Sequence, residues 1–314
     1  MSRRHLSNEI PLRLERSMLF VPASRWPMIE KAATSVADAV CLDLEDSVAT
    51  DEKATSRANV IRAFTELDFG RRQRIVRINA LDTPFAYRDI VDVIEGAGDC
   101  VELVMLPKAG SAEDVGFVDT LLTQIEMNCG LVRRRIGIEA QIETAEGFLW
   151  LREIAQSAPR LEALVFGPGD YAASMHLPTQ GIGESDVHDE AYQGHRWHSV
   201  MHAIVAAARA NGLRCLDGPY GGYKDTAGFE RSCRTARALG FDGKQCIHPN
   251  QLSTVNSIFS PTEEEVAYAE RVVQSYEQAT AGGQGAVGVD GRMIDLASVR
   301  NARVVIEQHR LSQT

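Results

Sequence analysis

Two carboxylate residues end neighbouring apolar segments of the sequence and could together hold one divalent metal ion. Glu143 lies at the end of GIEAQIET (137–144), and Asp170 ends the next segment, ALVFGPGD (163–170). If these segments are adjacent strands, the two side chains converge at one edge of a sheet. Two carboxylates completed by water and substrate oxygens suit Mg²⁺, which seldom takes an all-protein cage. Histidine is sparse at such positions, which disfavours zinc.

Arg77, in the segment RIVRINA (74–80), could serve the same site. Its guanidinium group could hold a carboxylate or stabilise charge that develops on a reacting oxygen. A buried ion pair with Asp43 or Glu45 explains the residue equally well, and spacing alone does not decide between these roles. The other apolar segments except the first also end in polar residues, which favours an active site over a structural charge network: Asp46, Asn79, Lys108, Asp217 and His248.

Eight short apolar segments, which must position these residues, alternate with amphipathic stretches along the chain. They are rich in Val, Ile and Leu and end beside Gly, Pro or charged residues, which is typical of strands. Eight strand–helix repeats in about 250 residues predict a closed (β/α)₈ barrel, whose active site lies at the carboxyl ends of its strands. A doubly wound sheet is the alternative, but the turn after the first segment lacks the expected glycines. The predicted strands are 17–23, 39–46, 74–80, 103–109, 137–144, 163–170, 214–220 and 243–249, and the predicted helices include 51–66, 112–127, 195–211 and 226–239.

The pattern changes in the last part of the chain. The segment SPTEEEVAYAERVVQSYEQA (260–279) predicts a capped helix with an acidic first turn. A glycine-rich segment (281–292) then predicts a hinge before a last helix. We therefore expect a barrel domain over residues 1–260 and a helical extension over 261–314 that could act as a lid. A flexible connector to a packing helix is the alternative for the same composition.

Composition and charge argue against several classes of protein. Of the 314 residues 44% are hydrophobic and 24% are charged, which is ordinary for a soluble protein. The formal net charge of −10 disfavours nucleic acid and anionic membranes as partners, because both attract basic surfaces. No apolar run approaches the roughly 20 residues of a membrane span, and the amino terminus lacks a signal-peptide core. The six cysteines form no CxxC pair, so we expect a cytoplasmic protein with reduced cysteines and no zinc site.

A series of motifs, taken in order, resembles one known family. The motifs are RSMLFVPASRWPMIEKA, ADAVCLDLEDSV, VRINALDTPF, MLPKAG, IEAQIET, FGPGDYAASM, LDGPYGG and GKQCIHPNQ. They are similar to those of the citrate lyase β-subunit-like aldolases, the HpcH/HpaI group, and most of all to its malyl-CoA and β-methylmalyl-CoA lyases. The resemblance runs from about Arg16 to the last helix. The chain departs from the pattern at Ala23, where the family motif has glycine, and in 181–197, which is shorter than in related sequences.

The resemblance implies roles for individual residues. Glu143 and Asp170 match the family's Mg²⁺ carboxylates, and Arg77 matches the arginine that contacts the oxo-acid and the reacting oxygen. Asp295 matches an acid/base residue on a mobile C-terminal segment, often that of a neighbouring subunit, which implies a homo-oligomer (a trimer or a hexamer). As an alternative, an acidic residue at a helix start is favourable in itself. Coenzyme A is implied to lie against Phe20, Arg25, Lys31, Ile247 and Pro249.

The implied activity is that of a lyase dependent on Mg²⁺ or Mn²⁺. It would reversibly cleave malyl-CoA or β-methylmalyl-CoA to glyoxylate and acetyl-CoA or propionyl-CoA, with Asp295 and Arg77 as catalytic residues. Four other functions stay open: a citramalyl-CoA lyase that gives acetyl-CoA and pyruvate, a malyl-CoA thioesterase, a citrate lyase β subunit, and a non-catalytic assembly subunit. The joint presence of Glu143, Asp170 and Asp295 argues against the last of these.

Overall fold

The computed structural model describes residues 11–132, 135–191 and 196–313, without the side chains of residues 190 and 191. The chain divides into a barrel unit, mainly Glu15–Asn256, and a C-terminal unit formed by Ser257–Thr314 together with Leu12–Leu14. Residue 195 and part of the segment 181–197 lie outside the described residues. Within those residues, no helix is both long enough and apolar enough to cross a membrane. All six cysteines are free thiols.

Eight parallel strands form the closed sheet of the barrel unit, in which each strand pairs with the next and β1 pairs with β8. Parallel neighbours require crossover connections, and helices or turns supply them here. The predicted (β/α)₈ barrel is confirmed. Every predicted strand is present, but each ends before the predicted boundary, so most of the polar residues lie just beyond the strands. The strands are β1 (Ser17–Pro22), β2 (Ala39–Asp43), β3 (Gln73–Arg77), β4 (Leu103–Leu106), β5 (Gly137–Ile142), β6 (Leu161–Phe166), β7 (Arg214–Asp217) and β8 (Gly243–Cys246).

The four predicted helices of the barrel unit are confirmed as α2 (Lys53–Glu66), α4 (Ala112–Cys129), α9 (His198–Asn211) and α10 (Thr226–Leu239). The longest of them, α4, begins where the Ser111 side chain accepts a hydrogen bond from the Asp114 N–H, and it ends at Gly130 in the left-handed conformation. The described helices of this unit are α1 (Trp26–Ala33), α2 (Lys53–Glu66), α3 (Ala86–Ala97), α4 (Ala112–Cys129), α5 (Ala145–Leu149), α6 (Leu151–Ala155), α7 (Pro168–Ser174), α8 (Val187–Ala191), α9 (His198–Asn211) and α10 (Thr226–Leu239), and α11 (Leu252–Phe259) follows at its end.

Apolar side chains fill the middle of the barrel, and a charged group lies at the amino ends of the strands. Arg214 is 3.0–3.1 Å from carboxylate oxygens of Glu15, Glu139 and Glu162. This charged group serves stability, because the carboxyl ends of the strands carry the chemistry in this fold. The apolar cluster consists of Met18, Ala39, Cys41, Ile75, Leu103, Met105, Ala163, Val165 and Leu216.

The C-terminal unit contains two helices, α12 (Glu263–Ala281) and α13 (Leu296–Gln313). As predicted, α12 starts with a capping box, formed by Thr262 and Glu265. The glycine-rich segment differs from the predicted hinge, because Val287–Val289 (β9) pairs antiparallel with Arg292–Ile294 (β10). Its turn is Asp-Gly, a pair that tolerates positive φ and favours hairpins. The hairpin and both helices share an apolar cluster: Ala269, Val272, Val289, Ile294, Val299 and Ala302.

A buried ion pair joins α4 to the amino ends of two strands. Arg160, just before β6, donates hydrogen bonds of 2.8 and 2.9 Å to the two carboxylate oxygens of Glu126. It also bonds Asp119 and Thr123 on the same face of α4, and the carbonyl of Ile136 before β5. Both side chains of the Arg160–Glu126 pair are 0% exposed. This pair therefore fixes the packing of α4 against the sheet.

We expect Arg160→Met to lower the free energy of unfolding by about 3–5 kcal/mol, because Glu126 stays buried without its counter-charge. Urea denaturation followed by circular dichroism measures this change. The matched control is Arg234→Met, which removes an exposed pair with Glu230 and should cost no more than about 0.5 kcal/mol. Equal losses in the two variants would contradict the role given to the buried pair.

Candidate active site

Polar side chains replace the apolar interior of the barrel at the carboxyl ends of the strands. Cys41 and Ile75 belong to the apolar cluster. Asp43 and Arg77 stand two residues further along the same strands, and side chains two apart on a strand point the same way. The strands therefore place a charged layer directly on an apolar one, where water screens it poorly.

Arg77 lies at the centre of this charged layer. Its Nε and Nη2 atoms donate to the two oxygens of Asp43 at 2.7 and 2.8 Å, and Nη1 is 2.9 Å from Glu45 Oε2. Burial raises the pKa of Asp43, but the charge and hydrogen bonds of Arg77 and a bond from Ser47 outweigh it and hold that pKa below its ordinary value. The buried pair weighed in the sequence analysis is therefore present. Arg77 also lines the cavity described below, so the pair leaves it available to a ligand.

Lys108, just after β4, joins the charged layer to carboxylates that follow β2 and β6. Its ammonium nitrogen is 2.5 Å from Glu45 Oε1 and 3.6 Å from Asp170 Oδ1. Burial lowers the pKa of Lys108, but the hydrogen bond and charge of Glu45 outweigh it and raise that pKa above its ordinary value. The ammonium group is thus a permanent charge in this site. The sequence marked Lys108 only as a strand end.

Glu143 is buried beside other carboxylates. One of its oxygens accepts a hydrogen bond of 2.8 Å from the Lys108 backbone N–H. Burial and the charges of Glu45 and Asp170 raise the pKa of Glu143 to about 8, against the opposing charge of Arg77. Glycine is needed at position 167, because a Cβ there would lie 2.3 Å from Glu143 Oε2.

A cavity of about 450 Å³ opens over this layer. Asp170, in the first turn of α7 and 38% exposed at its side chain, faces it together with Glu143. Other lining residues are Phe20, Asp43, Arg77, Gln141, Gln245 and Ile247. The structure thus brings together five of the residues predicted for the site: Phe20, Arg77, Glu143, Asp170 and Ile247.

Arg25, Lys31 and Pro249 lie outside the cavity lining and are exposed. Arg25 precedes α1 and Lys31 is in its last turn. Within the part of the chain that the structure describes, neither side chain forms an ion pair. Ala23, which departs from the family motif, is buried and has no positive φ. Alanine therefore fits this backbone without strain.

Asp295 lies in the C-terminal unit, directly before α13. Its Oδ1 accepts hydrogen bonds from the N–H of Ser298 at 2.9 Å and from the Ser298 hydroxyl at 3.0 Å. These bonds hold the pKa of Asp295 below its ordinary value. The helix-capping role that was the alternative for this residue is therefore present in the structure.

Three of the polar residues at the ends of strands bind structural partners and do not line the cavity. Asn79 donates to Asp89, and Asp217 forms a buried ion pair with Lys244. His248 Nδ1 accepts a hydrogen bond from the Asn250 N–H. These three residues thus lie outside the cavity lining. Sequence position alone does not show where a loop turns after its strand.

The donor atoms in the cavity fit a hard divalent cation. Glu143 and Asp170 offer carboxylate oxygens, and Gln141 Oε1 is buried without a hydrogen-bond partner among the described residues. No group of three or more His, Cys, Asp or Glu side chains in those residues could hold a metal ion. Two carboxylates suit Mg²⁺, because this ion keeps several waters or substrate oxygens as ligands.

Known proteins share this fold and these sequence features. Residues 16–249 match the HpcH/HpaI aldolase/citrate lyase family. The chain is 44% identical over 304 residues to the L-malyl-CoA/β-methylmalyl-CoA lyase of Cereibacter sphaeroides, with 95% of each chain covered. It is 33% identical to the malyl-CoA/β-methylmalyl-CoA/citramalyl-CoA lyase of Chloroflexus aurantiacus, with 96% of this chain and 90% of that one covered. The fold is also similar to the crystal structure of CitE from Mycobacterium tuberculosis in complex with magnesium, acetoacetate and coenzyme A. The TM-score of this match is 0.74 and the sequence identity is 32%, and the match covers 95% of this chain and 100% of the CitE chain. The chain belongs to the HpcH/HpaI aldolase/citrate lyase family.

Proposed function

We propose that this protein is a magnesium-dependent lyase that reversibly cleaves malyl-CoA or β-methylmalyl-CoA to glyoxylate and acetyl-CoA or propionyl-CoA. The observation that carries the proposal is the meeting of Glu143, Asp170 and Arg77 at one cavity. The similarity to the Cereibacter enzyme over nearly the whole chain supports the substrate class. We further propose that the protein is a cytoplasmic homo-oligomer.

Glu143 and Asp170 are the proposed ligands of Mg²⁺, with Mn²⁺ as a substitute. When bound, the ion supplies Lewis-acid polarisation of the oxo-acid carbonyl. Arg77 donates to the oxygen that gains charge as the carbon–carbon bond forms. Its other N–H groups are held by Asp43 and Glu45, so the guanidinium group is already oriented before substrate binds.

Asp295 is the proposed acid/base residue. Its carboxylate takes a proton from the carbon next to the thioester carbonyl, and that carbon then attacks the aldehyde carbon of glyoxylate, whose oxygen takes up a proton to become the hydroxyl of the product. In cleavage, the hydroxyl loses its proton and the carbon–carbon bond breaks. The electron pair stays on the carbon next to the thioester carbonyl, and protonated Asp295 gives that carbon its proton. At the other end of the thioester, Arg25 and Lys31, which form no ion pair within the described residues, carry charges that would attract the CoA phosphates. Phe20, Ile247 and Pro249 would contact the rest of the CoA.

A second candidate is cleavage of citramalyl-CoA to acetyl-CoA and pyruvate, because the Chloroflexus relative includes that substrate in its name. Condensation of acetyl-CoA with glyoxylate or with pyruvate, followed by mass spectrometry of the product, separates the two lyases. Hydrolysis of malyl-CoA to free CoA without glyoxylate would instead indicate a thioesterase. No turnover of any of these thioesters would favour an assembly subunit, and carrier-protein thioesters would test a citrate lyase subunit.

We expect Glu143→Gln or Asp170→Asn to weaken Mg²⁺ binding at least about tenfold, because each removes one anionic ligand. Activity should vanish in excess EDTA and return with Mg²⁺ or Mn²⁺. Asp46→Asn is the matched control, since it removes a charge from the same cavity lining and should have a smaller effect. Full activity in excess EDTA would defeat the metal assignment.

Asp295→Asn should lower kcat by about two to four powers of ten if Asp295 is the acid/base residue. Thermal stability should hardly change, because Asn caps a helix about as well as Asp. Stopped assays of kcat and a thermal melt of the same preparation measure both effects. A fully active Asp295→Asn enzyme would leave Asp295 with the capping role alone.

Hybrid oligomers test whether Asp295 serves a neighbouring subunit. Asp295→Asn and Arg77→Ala protomers are each expected to be inactive, and mixing them should restore part of the activity if each intact site draws on both chains. No recovery in mixed oligomers would limit Asp295 to its own subunit.

Arg25→Ala or Lys31→Ala should raise the KM for the acyl-CoA roughly tenfold, because a charge-assisted contact to phosphate is lost. The KM for glyoxylate should change far less. Arg234→Ala, which removes an exposed arginine on α10, is the control and should change neither constant. Equal effects on both substrates would count against a role in CoA binding.

A further inference from the structure

Lys108 contacts both carboxylates of the proposed cation site, through different groups. Its backbone N–H donates to Glu143 Oε1 at 2.8 Å, and its ammonium nitrogen lies 3.6 Å from Asp170 Oδ1. The same nitrogen is 2.5 Å from Glu45 Oε1 and 3.5 Å from Asp46 Oδ2. One side chain thus joins the cation ligands to the carboxylate that holds Arg77.

The backbone of Lys108 is strained. Its φ of 49° lies in the left-handed region, which a residue with a Cβ adopts at a cost in free energy. Such strain persists only where surrounding contacts offset it, and it clusters at functional sites. Here the conformation presents the N–H to Glu143 while the side chain reaches Glu45. Position 108 therefore keeps a costly conformation that serves two carboxylates at once.

The ammonium group and a divalent cation compete for Asp170. A cation held by Asp170 lies beside the Lys108 nitrogen, and two positive charges at short range in a poorly screened site repel. Glu45 already holds the ammonium group at 2.5 Å and Asp46 lies 3.5 Å away, so the ammonium group can give up Asp170 without becoming unpaired. The contacts of Lys108 thus fit two arrangements, one without and one with a cation.

We propose that Lys108 is a positioning residue whose ammonium group, held by Glu45, also neutralises Asp170 until a divalent cation takes over that carboxylate. This inference rests on the cation site of the proposed function. Before a cation binds, the Lys108 ammonium group acts as a counter-ion that reduces the repulsion between neighbouring carboxylates. The same positive charge weakens binding of the cation.

Lys108→Met removes the competing charge but keeps the N–H donor, so Mg²⁺ should bind about tenfold tighter than to the unsubstituted protein. Isothermal titration of the full chain with MgCl₂ alone measures the affinity. Lys108→Gly also removes the charge, and it relieves the left-handed strain. It should bind Mg²⁺ as tightly as Lys108→Met, so the test stays valid if the Met variant folds poorly. Lys108→Arg keeps the charge and should restore the ordinary affinity. Structural damage would weaken binding in all three variants, so the direction of the change is diagnostic.

Lys224→Met is the control, since it removes an exposed lysine of the barrel unit and should leave Mg²⁺ affinity unchanged. Unchanged or weaker binding in both Lys108→Met and Lys108→Gly overturns the inference. Titration of Glu143→Gln with MgCl₂ distinguishes failure of the cation site from failure of the role given to Lys108. If this variant binds Mg²⁺ normally, the cation site itself is wrong and the proposed function falls with it. If it binds weakly while the Lys108 variants show no tightening, only the role of Lys108 fails.

Discussion

The pairing of β1 with β8 is the constraint on which the rest of the barrel unit depends. A closed parallel sheet brings the carboxyl ends of all its strands into one ring. Residues that are far apart in the chain therefore meet there: Arg77 at the end of β3, Lys108 after β4, and Glu143 and Asp170 after β5 and β6. The alternation of side chains along each strand then sets this charged layer on an apolar one. Closure and alternation together account for both the position of the site and its poor screening by water.

The charges of this layer do not balance. Carboxylates at the cavity and its walls include Asp43, Glu45, Asp46, Glu143 and Asp170, whereas the cations that contact them in the described residues are Arg77 and Lys108. Arg77 is already committed to two carboxylates. Burial, together with the negative charges of Glu45 and Asp170, raises the pKa of Glu143. Burying carboxylates is costly unless a positive charge offsets it. The excess of carboxylates therefore favours binding of an additional cation at this place. This conclusion does not depend on the similarity to known proteins.

Most of the fold could be predicted from the sequence, because apolar runs and helical spacing report directly on burial. The meeting of Glu143 and Asp170 at one cavity could be predicted for the same reason, since both residues follow buried strands. Spacing identified Asp43 and Glu45 as alternative partners of Arg77 but could not show that Arg77 pairs with both, because the sequence gives the residue types at strand ends and not the geometry between them. Arg160 was missed since a lone arginine before a strand gives no periodic signal. The hairpin at Asp290 and Gly291 could not be told from a flexible linker, because Asp-Gly favours such turns but the glycines around it are equally typical of a hinge.

The helix cap at Asp295 sets a requirement on any chemistry at that residue. The bonds from Ser298 fix the position of the carboxylate, but they also hold its pKa low, and a carboxylate of low pKa is a weak base. A proton next to a thioester is itself only weakly acidic, so the proposed base needs a further source of reactivity. Removal of water is the source available to a carboxylate, because desolvation raises its pKa. A cap that positions Asp295 therefore favours catalysis only when bound substrate shields the carboxylate from solvent, which couples proton transfer to occupancy of the site.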